Sequence, residues 1–152
     1  MQLCRAHLSG ARTTRSSRPV SSTCIGWAAA RFGSADAFFA QCFALNYCPL
    51  VFLEAGGRNR TPEQLPAHET EALYAACDDQ LRAAIETTAA QWLIGIGGFA
   101  AKRLRRVLGD ASTPRVAQIL HPSPASPAAN RGWAEAVDRR LDELGVFASH
   151  PD

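Results

Sequence analysis

The chain has 152 residues, enough for one domain that buries roughly two-thirds of the surface its unfolded form exposes. A hydrophobic share of 47% and a charged share of 20% are globular values, and no apolar run approaches the roughly 20 residues a membrane span needs, so no membrane partner is expected. The net charge of +2 misleads: residues 1–35 hold five arginines and no acid, leaving eleven basic residues against fourteen acidic, so any nucleic-acid contact must come from local clusters rather than a summed field.

One lysine, Lys102, stands beside fifteen arginines, and alanine is abundant, the bias of a GC-rich gene. Five cysteines at positions 4, 24, 42, 48 and 77 form no Cys-x-x-Cys pair. An odd count without a secretion signal reads as reduced, mostly buried thiols rather than a disulfide framework or a metal site.

Residues 1–24 show no sustained period. Arg5, Arg12, Arg15 and Arg18 lie among serines and threonines, the composition of a transit peptide, but no amphipathic face emerges. A disordered tail, or residues translated from a misplaced start, is the expectation there. From Trp27 to Phe39 the pattern is a helix broken at Gly33-Ser34, with Ser34 capping its second half. Cys42-Phe43-Ala44-Leu45 is short, apolar and aromatic, the pattern of a buried strand, with Asn46 just past its end. Gly56 to Pro66 reads as a polar loop.

Leu65 to Thr88 is the clearest helix. Pro66 suits its first turn, and Leu73, Cys77, Leu81, Ala84 and Ile85 share one face. Trp92 to Ile96 is a second buried strand, and Gly97-Gly98 turns it into a helix from Phe99 to Leu108. Lys102, Arg103, Arg105 and Arg106 are expected on that helix's solvated face, and Gly109 stops it. Arg115 to Leu120 is a third strand, which delivers His121 to its end. Pro122, Pro124 and Pro127 then hold an extended loop, since each fixes φ and removes a donor. A last helix carries Val137, Leu141 and Leu144 on one stripe, with a Glu135–Arg139 pair, and ends at Gly145. Trp92, Phe99 and Trp133 are expected in the core. Strands alternating with helices imply an open parallel sheet, with ligands beyond the carboxyl ends of its strands.

Three motifs occur in order: Asn46-Tyr47-Cys48-Pro49-Leu50 followed by Gly57-Arg58-Asn59-Arg60-Thr61-Pro62; Ile94-Gly95-Ile96-Gly97-Gly98-Phe99; and His121-Pro122-Ser123-Pro124 followed by Pro127-x-x-Asn130-Arg131-Gly132-Trp133. Together, from roughly Phe32 to Phe147, they resemble the single-strand-selective monofunctional uracil-DNA glycosylases of the uracil-DNA glycosylase superfamily. The resemblance implies a three-layer α/β/α fold acting as a monomer on uracil-containing DNA, single- or double-stranded, without metal or other cofactor. Some superfamily branches hold an iron–sulfur cluster on four cysteines, a spacing absent here. It implies DNA repair by base flipping and hydrolysis of the N-glycosidic bond, with oxidised pyrimidines as further substrates, in the nucleus of a eukaryote or the nucleoid-bearing cytoplasm of a bacterium.

By the same resemblance His121 is catalytic, donating to O2 of the departing uracil. Asn46 binds the base, its carboxamide matching uracil N3–H and O4 where cytosine presents the opposite pattern. Gly57, Arg58, Asn59, Arg60 and Thr61 resemble the family's DNA-contacting loop. Ser123, Asn130 and Arg131 belong to the segment that enters the duplex and touches phosphate. In some relatives a basic residue follows the second proline and fills the space left by the flipped base; here that residue is Ala125.

One part of the pattern is missing. The family opens its sheet with a strand leading to Gly-Met-Asn-Pro-Gly-Pro-Phe, whose asparagine positions the attacking water, and a later phenylalanine stacks on uracil. Here the asparagines are Asn46, Asn59 and Asn130, and no Gly-x-Asn-Pro occurs. The expectation is the C-terminal part of a glycosylase domain, residues 25–152, behind an unmatched tail and without its first strand. Such a sheet would have unpaired strands and uncovered apolar faces. Two alternatives stay open. A non-catalytic nucleic-acid-binding remnant would bind without releasing base. A dinucleotide-binding domain is suggested by Gly95-x-Gly97-x-x-Ala100, although no acid lies the expected ~20 residues beyond at the end of a second strand.

Overall fold

A computed structural model of the chain describes residues 2–4, 22–122 and 129–147. The elements in order are β1 (Gln2–Cys4), α1 (Ser22–Phe32), α2 (Ala35–Phe39), β2 (Cys42–Ala44), β3 (Phe52–Leu53), β4 (Asn59–Arg60), α3 (Ala67–Thr88), β5 (Trp92–Ile96), α4 (Gly98–Leu108), β6 (Arg115–Ile119) and α5 (Trp133–Glu143). The main sheet has the order β2-β1-β5-β6, and β3 and β4 form a separate two-stranded hairpin.

β5 organises the three layers. Its side chains alternate between faces, as a strand buried on both sides requires. Trp92 and Ile94 join Ala117 and Ile119 of β6 in packing against Trp27 of α1 and Trp133, Val137 and Leu141 of α5. Leu93 faces the other way, into Cys77, Leu81 and Ile85 of α3 and Leu104 of α4. On the first face Trp27 and Trp133 meet edge to face at 6.2 Å. The Trp27 indole N–H donates to Asp138 at 2.8 Å, and Arg31 binds both Asp138 and Asp142. Burial alone would lower the Arg31 pKa, but bonds to these two carboxylates outweigh it and hold the guanidinium above its ordinary value.

Gly95 sets the distance between β5 and the helix that follows. A Cβ there would stand 2.5 Å from the Ala101 nitrogen and 2.8 Å from the Ala101 Cβ, so α4 lies directly on the strand backbone. Ala101 is wholly buried at that contact.

Several expectations need correcting. Helix α1 begins at Ser22 and a strand forms at Gln2–Cys4, so the first 24 residues are not uniformly unstructured. The place inside the sheet is taken by β1, which lies between β2 and β5 and is antiparallel to both, so the sheet is mixed rather than parallel. Successive residues of an inner strand bond alternately to the neighbours on its two sides, so even three residues leave no unpaired edge between β2 and β5. The other half of the expectation stands: Ile25, Phe39 and Phe43 remain exposed.

β2 buries only Cys42 rather than being buried throughout. The loop expected from Gly56 to Pro66 contains β4 and a short 3-10 turn, Pro62–Gln64. Pro66 precedes the α3 helix as its cap rather than occupying its first turn. Among the described residues, the ion pair within α5 joins Arg140 to Glu143 at 3.6 Å rather than Glu135 to Arg139. Ser34 does cap α2, accepting from the Ala37 amide at 3.1 Å.

Two substitutions of opposite sign test this packing. Gly95→Ala should destabilise the fold at the upper end of the about 1–3 kcal/mol typical of overpacking, because backbone on both sides must give way. Ala89 ends α3 with φ of 45°, a conformation glycine adopts without a Cβ penalty, so Ala89→Gly should stabilise by about 0.5–1 kcal/mol. Denaturant unfolding of both variants measures each change.

Candidate functional site

Strand direction determines which residues share an end of the sheet. Because β1 opposes both β2 and β5, those two run the same way, and β6 runs parallel to β5. Ala44, Ile94 and Ala117 are level through Gln2. Asn46 therefore lies two residues past Ala44 and His121 four past Ala117, at the same carboxyl end. Their strands are three spacings apart, about 14 Å between backbones at the usual strand separation. Gly97, Gly98 and Phe99 leave β5 between them.

His121 is exposed, and the residues on either side of its ring fix where it sits. The Gly97 amide donates to the Ile119 carbonyl at 2.9 Å. The buried Trp133 indole N–H donates to the Leu120 carbonyl at 2.7 Å. Gly97 has φ of 88°, and a Cβ on it would come within 3.1 Å of the His121 Cβ and 3.4 Å of its Cδ2. In a dinucleotide fingerprint this glycine leaves room for pyrophosphate. Here an imidazole fills that room, which counts against the dinucleotide reading.

Asn46 is exposed as well, but Tyr47 beside it is buried. The Tyr47 hydroxyl donates to Asp78 Oδ1 at 2.8 Å and lies 3.2 Å from the Tyr74 carbonyl. Arg103 grips the same carboxylate twice, Nε to Oδ1 at 3.1 Å and Nη2 to Oδ2 at 2.7 Å. Its guanidinium also lies over the rings of Tyr47 and Tyr74, at 5.1 and 4.7 Å. Arg103 was expected on a solvated face, but its side chain is only 13% exposed, as is that of Asp78. Desolvating two opposite charges is tolerable when both are paired and hydrogen-bonded this fully. Burial, followed by the bond to Asp78, pushes the Tyr47 phenol well above its ordinary pKa.

Phe99 is not a core residue as expected; it is 47% exposed at the start of α4. Its ring meets Tyr47 at 5.5 Å and Tyr74 at 5.9 Å. Two contacts thus flank this end of the sheet: Tyr47, next to Asn46 in the chain, meets Phe99, and Gly97, two residues before Phe99, meets His121. Cys48 packs against buried Cys77. Burial, and then the neighbouring Cys48, push the Cys77 thiol up to about 11, so it stays protonated near neutral pH. An open cleft of about 540 Å³ lies between α3 and α4. It is lined by Tyr74, Asp78, Arg103 and Arg106 among others, and includes neither Asn46 nor His121.

The basic motif forms the β3–β4 hairpin rather than a free loop. Phe52 pairs with Arg60 and Leu53 with Asn59, and Gly57 turns with φ of 81°. Gly57, Arg58, Asn59 and Thr61 are exposed and Arg60 is half-buried. Arg58 is paired with Glu54 through two bonds of 2.9 and 3.0 Å, and Arg60 donates to the Gln64 carbonyl. The Thr61 amide donates to the Gln64 side chain at 3.0 Å. Arg131 is exposed in a 3-10 turn, Ala129–Arg131, that also contains the Asn130 backbone. Ser123 lies outside the described residues.

No family model matches the chain. Over 116 residues, 76% of its length, it is 44% identical to the single-strand selective monofunctional uracil-DNA glycosylase of Rattus norvegicus, 43% to that of Mus musculus and 41% to that of Bos taurus. The chain is thus similar in sequence to three proteins named as single-strand selective uracil-DNA glycosylases. It spans less than half of their length, 42–43% of each.

The sequence motifs pointed to the residues at the end of the sheet but missed the Tyr47–Asp78–Arg103 clamp. Asp78 and Arg103 are 25 positions apart, and the basic run that holds Arg103 read as a solvated helix face. The one available hint was an aspartate next to Cys77, on the apolar side of α3.

Gly97→Ala should displace the imidazole, since the strained φ and the 3.1 Å approach act together. The expected result is a clear shift of the His121 ring resonances, with those of the other histidines unmoved. A spectrum in which His121 keeps its wild-type shifts would contradict the contact.

Proposed function

We propose that the chain excises uracil from DNA by extruding the nucleotide and hydrolysing its N-glycosidic bond. The observation that carries this reading is the common direction of β2 and β6, which puts Asn46 and His121 at one end of the sheet, beyond strands flanked by helices on both faces. The similarity to proteins named as uracil-DNA glycosylases supports it.

In this reading Asn46 accepts from uracil N3–H and donates to O4, a pattern that cytosine reverses. His121 donates to O2, where negative charge gathers as the bond to the sugar breaks, and a preorganised donor there lowers the barrier. Extrusion costs a few kcal/mol and least where pairing is absent, which favours single-stranded substrate. The exposed hairpin Gly57–Thr61, together with Ser123, Asn130 and Arg131, contacts the backbone. Arg58 exchanges Glu54 for phosphate there, an exposed pair that holds little energy against it.

The water that attacks the sugar has no asparagine to position it at the end of an inner strand, since Asn46, Asn59 and Asn130 lie elsewhere. Losing such assistance costs about 10²–10⁴ in rate. Slow excision is therefore expected. The same observation favours a second reading, a module that binds uracil-containing DNA without releasing base.

Binding and uracil release measured on one single-stranded oligonucleotide separate the two readings. The glycosylase reading expects slow but measurable release by the wild type. His121→Ala should lower that release at least tenfold while changing affinity less than threefold. Asn46→Ala should weaken the preference for uracil over cytosine. Tight, salt-sensitive binding with no release would establish the second reading instead.

A further inference from the structure

Asn46 has weak local support. It follows β2, a strand of three residues at the outer position of the sheet, whose neighbour β1 also has only three. Selecting uracil over cytosine by one carboxamide requires a fixed backbone, because small rotations exchange donor and acceptor positions. Sheet pairing this short supplies little of that rigidity.

The adjacent side chain supplies it from the helix layer. The Tyr47 phenol is held at its tip by Asp78, covered on one face by the Arg103 guanidinium, and met by the rings of Tyr74 and Phe99. Asp78 and Tyr74 belong to α3, while Arg103 and Phe99 belong to α4. The Asp78–Arg103 fork is itself closed by two bonds and a further contact from Arg103 to the Tyr74 carbonyl at 3.4 Å. Arg106 approaches the same carboxylate at 3.6 Å from the solvent side.

We propose that Tyr47, clamped by Asp78 and Arg103, is the positioning residue for Asn46 and so for uracil selection. This rests on the role of Asn46 given above. Tyr47 touches no base; it acts by tying the base-reading residue to α3 and α4 through one phenolic hydrogen bond and a buried ion pair.

The decisive variant is Tyr47→Phe, which keeps the ring and its stacking but removes the hydroxyl. In the free 152-residue chain, amide exchange at residues 45–48 should accelerate about tenfold, with β5 amides unchanged. On a single-stranded uracil oligonucleotide kcat should fall roughly five- to twentyfold, KM should change less than twofold, and the affinity ratio for uracil- over cytosine-containing oligonucleotide should fall. Asp78→Asn keeps an acceptor for the phenol and should give a smaller effect of the same kind. Arg82→Gln, which removes an exposed pair with Asp79, should match wild type in every measurement.

Wild-type exchange at 45–48 in Tyr47→Phe would overturn the proposal. So would equal acceleration in β5, the mark of general loosening. A wild-type chain that releases no uracil would overturn the glycosylase reading alone, since the exchange measurement still decides whether Tyr47 holds Asn46 in place.

Discussion

The close approach of α4 to β5 governs most of the molecule. β5 pairs on both sides and is buried on both faces, and at Gly95 it has no side chain to keep the helix away. With α4 seated on the strand, its first turn sits at the end of the sheet and its second turn reaches α3. One consequence is the narrow space at Gly97 that the His121 ring fills. The other is the reach of Arg103 to Asp78, which no sheet contact would provide. Adding a methyl group at Gly95 would disturb both.

The two candidate residues are held by different means. His121 sits beyond β6, a five-residue strand in a regular parallel pair, with Trp133 anchoring the preceding carbonyl. Asn46 sits beyond a short outer strand and depends on a neighbour anchored in helices. The clamp ties that segment to two helices through a phenolic hydrogen bond and ring contacts, whereas β2 ties it to a single three-residue strand. The charges that matter most lie inside the helix layer, where the basic run on α4 contributes Arg103, with Arg106 approaching Asp78 from the solvent side, while Lys102 and Arg105 stay exposed.

The longer elements were legible in the sequence because each is set by local periodicity. Leu73, Cys77, Leu81 and Ile85 recur at helical spacing along α3, and the apolar run Trp92–Ile96 is bounded by a turn of glycines. The break at Gly33-Ser34 was legible from the cap. Shorter pieces were not: Gln2–Cys4 carries too few residues for any period, and its strand exists only because β2 and β5 leave an open lane between them. The β3–β4 hairpin escaped for the same reason, since two paired residues on each side leave no pattern.

By itself, the sequence determined the identity of the chemical groups and their order: a carboxamide after one strand, glycines after the next, an imidazole after the last. Each of these follows from residues adjacent in the chain. The tertiary structure alone decided that the three strand ends coincide, that Phe99 faces solvent, and that Arg103 turns inward to Asp78. Those outcomes depend on strand direction and on helix-to-sheet distance, which are set by contacts between residues far apart in the chain.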